Sequence, residues 1–354
     1  MNIFNIMLSR DLGGIQNVFV TYTKLLKCIN GHRFHIISNS AQVSKELNLV
    51  IDKEPNDSCS ILPNYSQYDI FSILKLRNLI KDEQPDIIIV HGNRAAVFAY
   101  YASRFLLKRP KIIGLAHNYS YKHLKKCDYV FCITKAMCSY MESMGIRKDS
   151  IFYLPNSIET TDFNYSIKTY ETNIITIGIM ARLVHKKGID IALHALRILK
   201  EKALNLRLII AGEGEELENL QKLSSELGLK SFVEFTGWIY EQEEFYSKID
   251  IFCLPSRQEP FGIVVLESMI RGIPVVASNT DGPLEIISHN QDGLIVDKES
   301  PDQLAMALEL LINNANIRAS IGAKAITKIK KHYTVDVVSK LLQGYLEQIL
   351  TYIK

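Results

Sequence analysis

Short apolar runs and amphipathic stretches alternate along almost the whole chain. Asn2–Leu8 reads as a first strand, and Ile15–Ile29 carries apolar residues at helical spacing. Phe34–Ser38 is a second strand, and residues 41–60 are less regular. Leu74–Glu83 reads as a helix, Ile87–Val90 as a strand and Arg94–Leu107 as a helix. Ile112–Leu115 and Tyr129–Ile133 are strands, Thr134–Met144 is a helix, and Ile151–Leu154 is a strand before Pro155. The short strands are apolar throughout and lead into helices. That pattern predicts a parallel sheet covered on both faces.

A polar, unpatterned stretch, Ser157–Thr172, interrupts the rhythm and reads as a linker. A second series starts with the strand Ile174–Ile179 and the helix Ile189–Lys202. It continues through the strand Leu206–Ala211, the helix Glu216–Leu227, the strand Val233–Phe235 and the short helix Glu241–Ser247. Strands Ile249–Leu254, Val275–Ala277 and Leu294–Val296 follow, with a helix from Ile263 to Arg271. Helices Pro301–Asn313 and Ile317–His332 come next. The last stretch, Val335–Tyr352, carries apolar residues at Val337, Val338, Leu341, Leu342, Tyr345, Leu346, Ile349 and Leu350, a stripe that must be buried somewhere. The expected class is α/β with two Rossmann-like domains, 1–160 and 173–334, and a terminal helix within 335–354.

Composition adds limits. A length of 354 residues exceeds one typical core, which agrees with two domains. With 47% hydrophobic and 22% charged residues the chain is ordinary globular protein. A net charge of +3 points to no polyanion, so nucleic acid is not an expected partner. Cations outnumber acids in the first half only. The start MNIFNIML has no basic leader, and no apolar run approaches the roughly 18 residues of a membrane span. Cytoplasmic location is therefore expected. The six cysteines show no CxxC pair and read as buried free thiols.

Candidate chemistry centres on Asp250–Ser278, a strand–loop–helix–strand unit. Glu259 lies in its loop and Glu267 in its helix, eight positions later. Gly262 and Ile263 open that helix, where free backbone N–H groups suit phosphate. A loop carboxylate there can accept sugar hydroxyls, and the helix carboxylate can take a ribose. Arg182 and Lys187, in the basic loop before the helix at Ile189, form a possible phosphate clamp. Gly13-Gly14 follows the first strand and allows close backbone approach. His91 and His117 end two strands, where open α/β sheets place ligands. Solvated carboxylates, a charged surface loop and a plain tight turn are the plainer readings of each feature taken alone. No His or Cys has a partner at metal-ligand spacing, so no metal is expected.

Together these residues resemble the retaining, nucleotide-sugar-dependent glycosyltransferases of family 4. Gly13-Gly14, His117, Arg182 with Lys187-Gly188, and Glu259-Pro260-Phe261-Gly262 through Glu267 carry the resemblance. Gly282, Glu285 and Asp292-Gly293-Leu294 look like the family's following segments. Asp281-Gly282-Pro283-Leu284-Glu285 departs from the more usual Gly-Gly-Pro there, and Ile15-Gln16 follows the first Gly-Gly where a Glu is common.

The resemblance implies a GT-B fold, with two Rossmann-like domains facing a cleft and the last helix crossing back to the first. It implies that Arg182 and Lys187 neutralise a leaving diphosphate, and that the N–H groups of Gly262 and Ile263 hold its oxygens. Glu259 and His117 would contact the donor sugar and Glu267 the ribose. Gly13 and Gly14 would admit the diphosphate or acceptor. The expected reaction moves a hexose-type sugar, with retention and without metal or cofactor. The donor would be a nucleotide sugar, UDP before GDP. The acceptor would be a glycan or lipid-linked acceptor of lipopolysaccharide, capsule or glycolipid type.

Basic residues Arg104, Lys108, Arg109, Lys111, Lys122, Lys125 and Lys126, interleaved with Phe105, Leu106, Leu107, Tyr119, Tyr121 and Leu124, suggest a peripheral contact with an anionic membrane on its inner face. A sugar-nucleotide epimerase of the same two-domain fold is the alternative enzyme, and a non-catalytic nucleotide-sugar binder the alternative from another class. A dinucleotide dehydrogenase is disfavoured because no GxGxxG follows the first strand.

Overall fold

The computed structural model describes residues 1–8, 14–29, 31–39, 58–63, 66, 69–160, 174–202 and 204–351, with the side chains of 14–17 excepted. Within it the chain divides into two compact units. One is Met1–Ser157 together with Val335–Lys354, and the other is Ile158–Thr334.

The first unit holds a seven-stranded sheet of β1 (Asn2–Met7), β2 (Arg33–Ser38), β3 (Ser58–Ile61), β4 (Ile87–His91), β5 (Lys111–Ala116), β6 (Tyr129–Cys132) and β7 (Ile151–Tyr153). Their order is β3-β2-β1-β4-β5-β6-β7, and every pairing is parallel. The isoleucine-rich β4 is buried along its whole length, as a strand covered on both faces must be. The edge strand β3 has the sequence SCSI and is only half-buried. Its apolar signal is too weak to stand out in the pattern, which is why 41–60 read as irregular. Ser58 and Ser60 bracket the His35 ring, with Oγ–N distances of 2.6 and 2.8 Å.

Two helix boundaries differ from the pattern by a full turn. The helix Ile70–Glu83 starts four residues early because Asp69 caps it, accepting from Ser72 N at 3.2 Å. The helix Gly92–Ser103 stops four residues short of Leu107, where Arg104 is extended and Phe105 adopts a left-handed φ of 63°. Not all six thiols are buried. Cys132 and Cys253 are, Cys28 is exposed, and Cys59, Cys127 and Cys138 lie between.

The second unit holds β8 (Ile175–Met180), β9 (Leu206–Ala211), β10 (Val233–Gly237), β11 (Ile251–Leu254), β12 (Val275–Ser278) and β13 (Leu294–Val296). Their order is β10-β9-β8-β11-β12-β13, again wholly parallel. A short helix, Asp281–Ile286, follows β12 and is too brief to show helical periodicity. In each sheet the strand order reverses beside the first strand, between β1 and β4 and between β8 and β11. Loops leaving the carboxyl ends of those strands diverge and open a crevice, the usual ligand position in such sheets.

The final helix, Val335–Thr351, belongs to the first unit. Val338, Leu342, Leu346 and Ile349 are buried in one cluster with Ile3, Leu25, Leu26, Phe131 and Phe152. The second half of the chain therefore ends by completing the core of the first. Leu342 is fully buried, so Leu342→Ala should cost about 2–5 kcal/mol in a urea unfolding experiment. A cost well below 1 kcal/mol would show that this helix is not part of that core.

Candidate functional site

In the second unit, the loops after β8 and β11 flank the reversal point and are bound to each other. Arg257 N and Gln258 N both donate to Lys186 O, at 2.9 and 3.2 Å. Gly188 adopts a left-handed φ of 63°, and a Cβ there would lie 2.1 Å from Pro255 O. No side chain can enter between the loops at that point. Arg257 adds a second tie. Its guanidinium donates to both Asp190 oxygens at 2.8 and 2.7 Å, to Glu299 at 2.9 Å and to His185 O at 2.9 Å. This fork pins the start of the helix Ile189–Glu201 to the β11 loop.

Lys187 Nζ donates to Glu259 Oε2 at 2.6 Å across the two loops. The side chains are 16% and 8% exposed. An ammonium has three donors, so this pair leaves Lys187 able to meet an anion as well. Arg182 is exposed on the same loop. Between them, Lys186 has its pKa lowered by burial and then by the charges of Arg182 and Lys187. Cations that depress one another in this way form a site that an anion would relieve. Glu259 is also held from the short helix Asp281–Ile286, where its carbonyl accepts from Gly282 N at 3.0 Å. A Cβ at Gly282 would sit 2.0 Å from Phe261 O, so this helix packs against the backbone of the β11 loop.

Gly262, at a left-handed φ of 86°, turns the chain into the helix Ile263–Ile270. This places the first N–H groups of that helix, including Ile263, at the carboxyl end of the sheet. Glu267 lies on this helix with Oε2 accepting from Tyr246 OH at 2.7 Å. Burial raises the Glu267 carboxyl above its ordinary pKa, against the Tyr246 hydrogen bond and the Arg271 charge. The Arg271 guanidinium stacks 4.3 Å from the Tyr246 ring centroid.

In the first unit, His91 and His117 end β4 and follow β5, and they are brought together. The rings are nearly coplanar, 21° apart with centroids at 5.4 Å, and meet edge to edge with His117 Nε2 3.3 Å from His91 Nδ1. Burial pushes His117 down to about 4 and His91 well below its ordinary value, with the His117 charge adding to the latter. Both are neutral at physiological pH. Gly14 opens the helix Gly14–Lys27, and Gly13 lies outside the described residues.

Spacing alone did not reveal three contributors. Arg257 reads as an ordinary loop charge, and nothing in one dimension pairs it with Asp190, 67 positions away. Tyr246 sits in an apolar stripe and reads as core. Asp292, in a segment resembling the family, holds Ser288 N at 2.8 Å and Lys328 Nζ at 3.0 Å and so braces a turn. Among the described residues no group of three or more His, Cys, Asp or Glu could hold a metal ion. No described helix is long and apolar enough to cross a membrane.

Comparison with known proteins follows this division. The model for glycosyl transferases group 1 matches residues 164–328, and that for Glycosyltransferase Family 4 matches residues 12–162. An uncharacterized glycosyltransferase of Haemophilus influenzae is 26% identical, over 97% of this chain and 99% of its own. The lipopolysaccharide core biosynthesis glycosyltransferase LpsE of Rhizobium meliloti is 27% identical, over 78% of this chain and 80% of its own. The crystal structure of Anabaena HepE in complex with UDP and glucose has the same fold. It has a TM-score of 0.82 at 18% identity and covers 98% of this chain and 100% of that one.

The raised Glu267 pKa has a stability consequence of known sign. The folded state binds this proton more tightly than the unfolded state, so the contribution is present below the unfolded value of 4.5 and is lost as pH rises through the folded value. Glu267→Gln cannot ionise and keeps an oxygen for Tyr246. Without ligand it should melt no lower than the unmodified protein near pH 8, and any gap should close toward about pH 4. Thermal melts across that range test this, and a variant less stable only at high pH would contradict it.

Proposed function

Because the chain belongs to the family 4 glycosyltransferases and has their GT-B fold, we propose that it is a retaining enzyme moving a hexose-type sugar from a nucleotide diphosphate donor. The observation that carries this reading is the Lys187–Glu259 contact at the reversal point, flanked by Arg182 and the helix start at Gly262. Cations, backbone N–H groups and a carboxylate converge there on one small region. A diphosphate needs the first two, and sugar hydroxyls need the third.

The roles follow from charge. As the bond from the anomeric carbon to the diphosphate oxygen breaks, negative charge grows on the β-phosphate. Arg182 and Lys187 stabilise that charge, assisted by the N–H groups of Gly262 and Ile263. The acceptor hydroxyl bonds to the anomeric carbon on the face the diphosphate leaves, and its proton passes to a diphosphate oxygen. The configuration is retained. Glu259, oriented by Lys187, accepts hydrogen bonds from the donor sugar, Glu267 takes the ribose, and His117 contacts the sugar. The cations do the work that a metal does elsewhere, so the reaction is metal-independent. Gly13 and Gly14 admit the diphosphate or acceptor.

The UDP and glucose of the HepE complex support a UDP-sugar donor, and the lipopolysaccharide role in the name of LpsE supports a glycan or lipid-linked acceptor. The first unit also exposes Phe105 and Leu107 beside Arg104 and Lys108, which supports peripheral contact with an anionic membrane. Not every nearby cation is available for this. Arg109 pairs with Asp128 at 3.0 Å and Lys108 with Asp86 at 3.6 Å, while Arg104 lies over the Phe105 ring and Lys126 over the Tyr100 ring.

Incubation with UDP-, GDP-, ADP- and CMP-sugars, lipopolysaccharide-type acceptors and EDTA should release the nucleotide and yield a product with the donor's anomeric configuration by NMR. An inverted product refutes retention, and loss of turnover in EDTA refutes metal independence. A new sugar nucleotide formed without acceptor identifies an epimerase instead.

Lys187→Ala should lower turnover by about 100-fold or more. It also strands the Glu259 carboxylate and costs stability. The double variant Lys187→Ala/Glu259→Gln should regain the melting temperature but not the activity; recovery of both would remove the clamp from the mechanism. Flotation with anionic liposomes at low salt should carry the protein, and the double variant Phe105→Ser/Leu107→Ser should float less. Equal flotation of both proteins excludes this surface.

A further inference from the structure

Behind His117 the first unit contains a row of buried polar groups that the proposed reaction does not use. His91 Nε2 lies 2.9 Å from Asn5 Oδ1. Asn5 Nδ2 donates to Thr23 Oγ1 at 3.1 Å, and Thr23 Oγ1 donates to Phe19 O at 2.9 Å. Asn5 and Thr23 are buried, and the His91 ring is wedged edge-on against Phe19 and Tyr22. The row therefore runs Phe19 carbonyl, Thr23, Asn5, His91, His117.

The direction of this row can be worked out proton by proton. Two oxygens 2.9 Å apart repel unless a proton lies between them. The carbonyl of Phe19 has none, so the single hydroxyl proton of Thr23 must lie there. Thr23 Oγ1 is then an acceptor toward Asn5, which fixes the amide with Nδ2 facing Thr23 and Oδ1 facing His91. Oδ1 can only accept, so His91 carries its proton on Nε2. A neutral ring has one proton, which leaves His91 Nδ1 as an acceptor. That nitrogen faces His117 Nε2 at 3.3 Å, so His117 also carries its proton on Nε2. His117 Nδ1 is left with a lone pair and no hydrogen-bond partner among the described residues, although it is closed off from water.

We infer that Thr23, Asn5 and His91 are positioning residues, which set His117 in the Nε2–H tautomer so that its Nδ1 presents a lone pair only to groups that donate a hydrogen bond. A hydroxyl that gains access to that nitrogen, which the surrounding residues now cover, can donate to it. A phosphate oxygen cannot, since neither partner would have a proton to give. The row thus directs His117 to sugar or acceptor hydroxyls and away from the diphosphate. The depressed pKa values agree, because a protonated His117 would reverse this preference. The hydroxyl ligand rests on the glycosyltransferase reading, whereas the tautomer does not.

The test is a long-range 1H–15N correlation on protein with 15N-labelled imidazoles, without ligand, near neutral pH. His91 and His117, identified by substituting each in turn, should both show protonated Nε2 and bare Nδ1. A proton on Nδ1 of either ring overturns the inference. Thr23→Val, nearly isosteric, frees the Asn5 amide to turn and should mix the tautomers, with a fall in kcat/KM of about 5-fold. Thr23→Ser restores the hydroxyl and should restore both. A Thr23→Val protein that melts lower with unchanged imidazole signals would show that the row is only structural. Absence of glycosyl transfer with the expected tautomers would instead sink the functional reading and leave the relay standing.

Discussion

The ion pair between Lys187 and Glu259 depends on strand direction. Residues 72 positions apart meet because β8 and β11 are parallel neighbours and deliver their loops to the same end of the sheet. Once there, the loops are joined by backbone hydrogen bonds to Lys186 O, by the Arg257 fork and by a glycine at 188 that leaves no gap. Like charges as close as Arg182, Lys186 and Lys187 would push a flexible loop apart. Here the scaffold absorbs that repulsion and an arriving anion would relieve it.

The two units handle ionisable groups in opposite ways. The second keeps charge near its sheet end and offsets it locally, with Glu259 against Lys187 and Asp190 against Arg257. In the first, the sheet-end pair His91 and His117 stays neutral, His91 buried against Phe19 and Tyr22 and His117 beside it. Glu267 stands between these cases, since its burial works against ionisation while Tyr246 and Arg271 support it. Such a group lowers the stability of the protein when it ionises without a further partner.

Amino-acid order alone specified the two βα series, the parallel sheets and the strand ends where ligands sit. Fully apolar runs of strand length have few other solutions, because they must be covered on both faces. It also singled out Arg182, Lys187 and Glu259, in loops that follow strands, and Glu267, in the helix after the second of those loops, as candidates. Strands and helices with a weak or short period, such as β3 and Asp281–Ile286, were not readable. Their place is decided by pairing and packing, which leave little periodic trace.

Tertiary structure alone decided which polar groups meet. Tyr246 with Glu267, Arg257 with Asp190, and Thr23, Asn5 and His91 in a row are contacts between distant segments. It also decided that the last helix completes the core of the first unit. Periodicity records which face of an element is buried, but hydrogen-bond partners depend on distances of about 3 Å that exist only after the chain has folded.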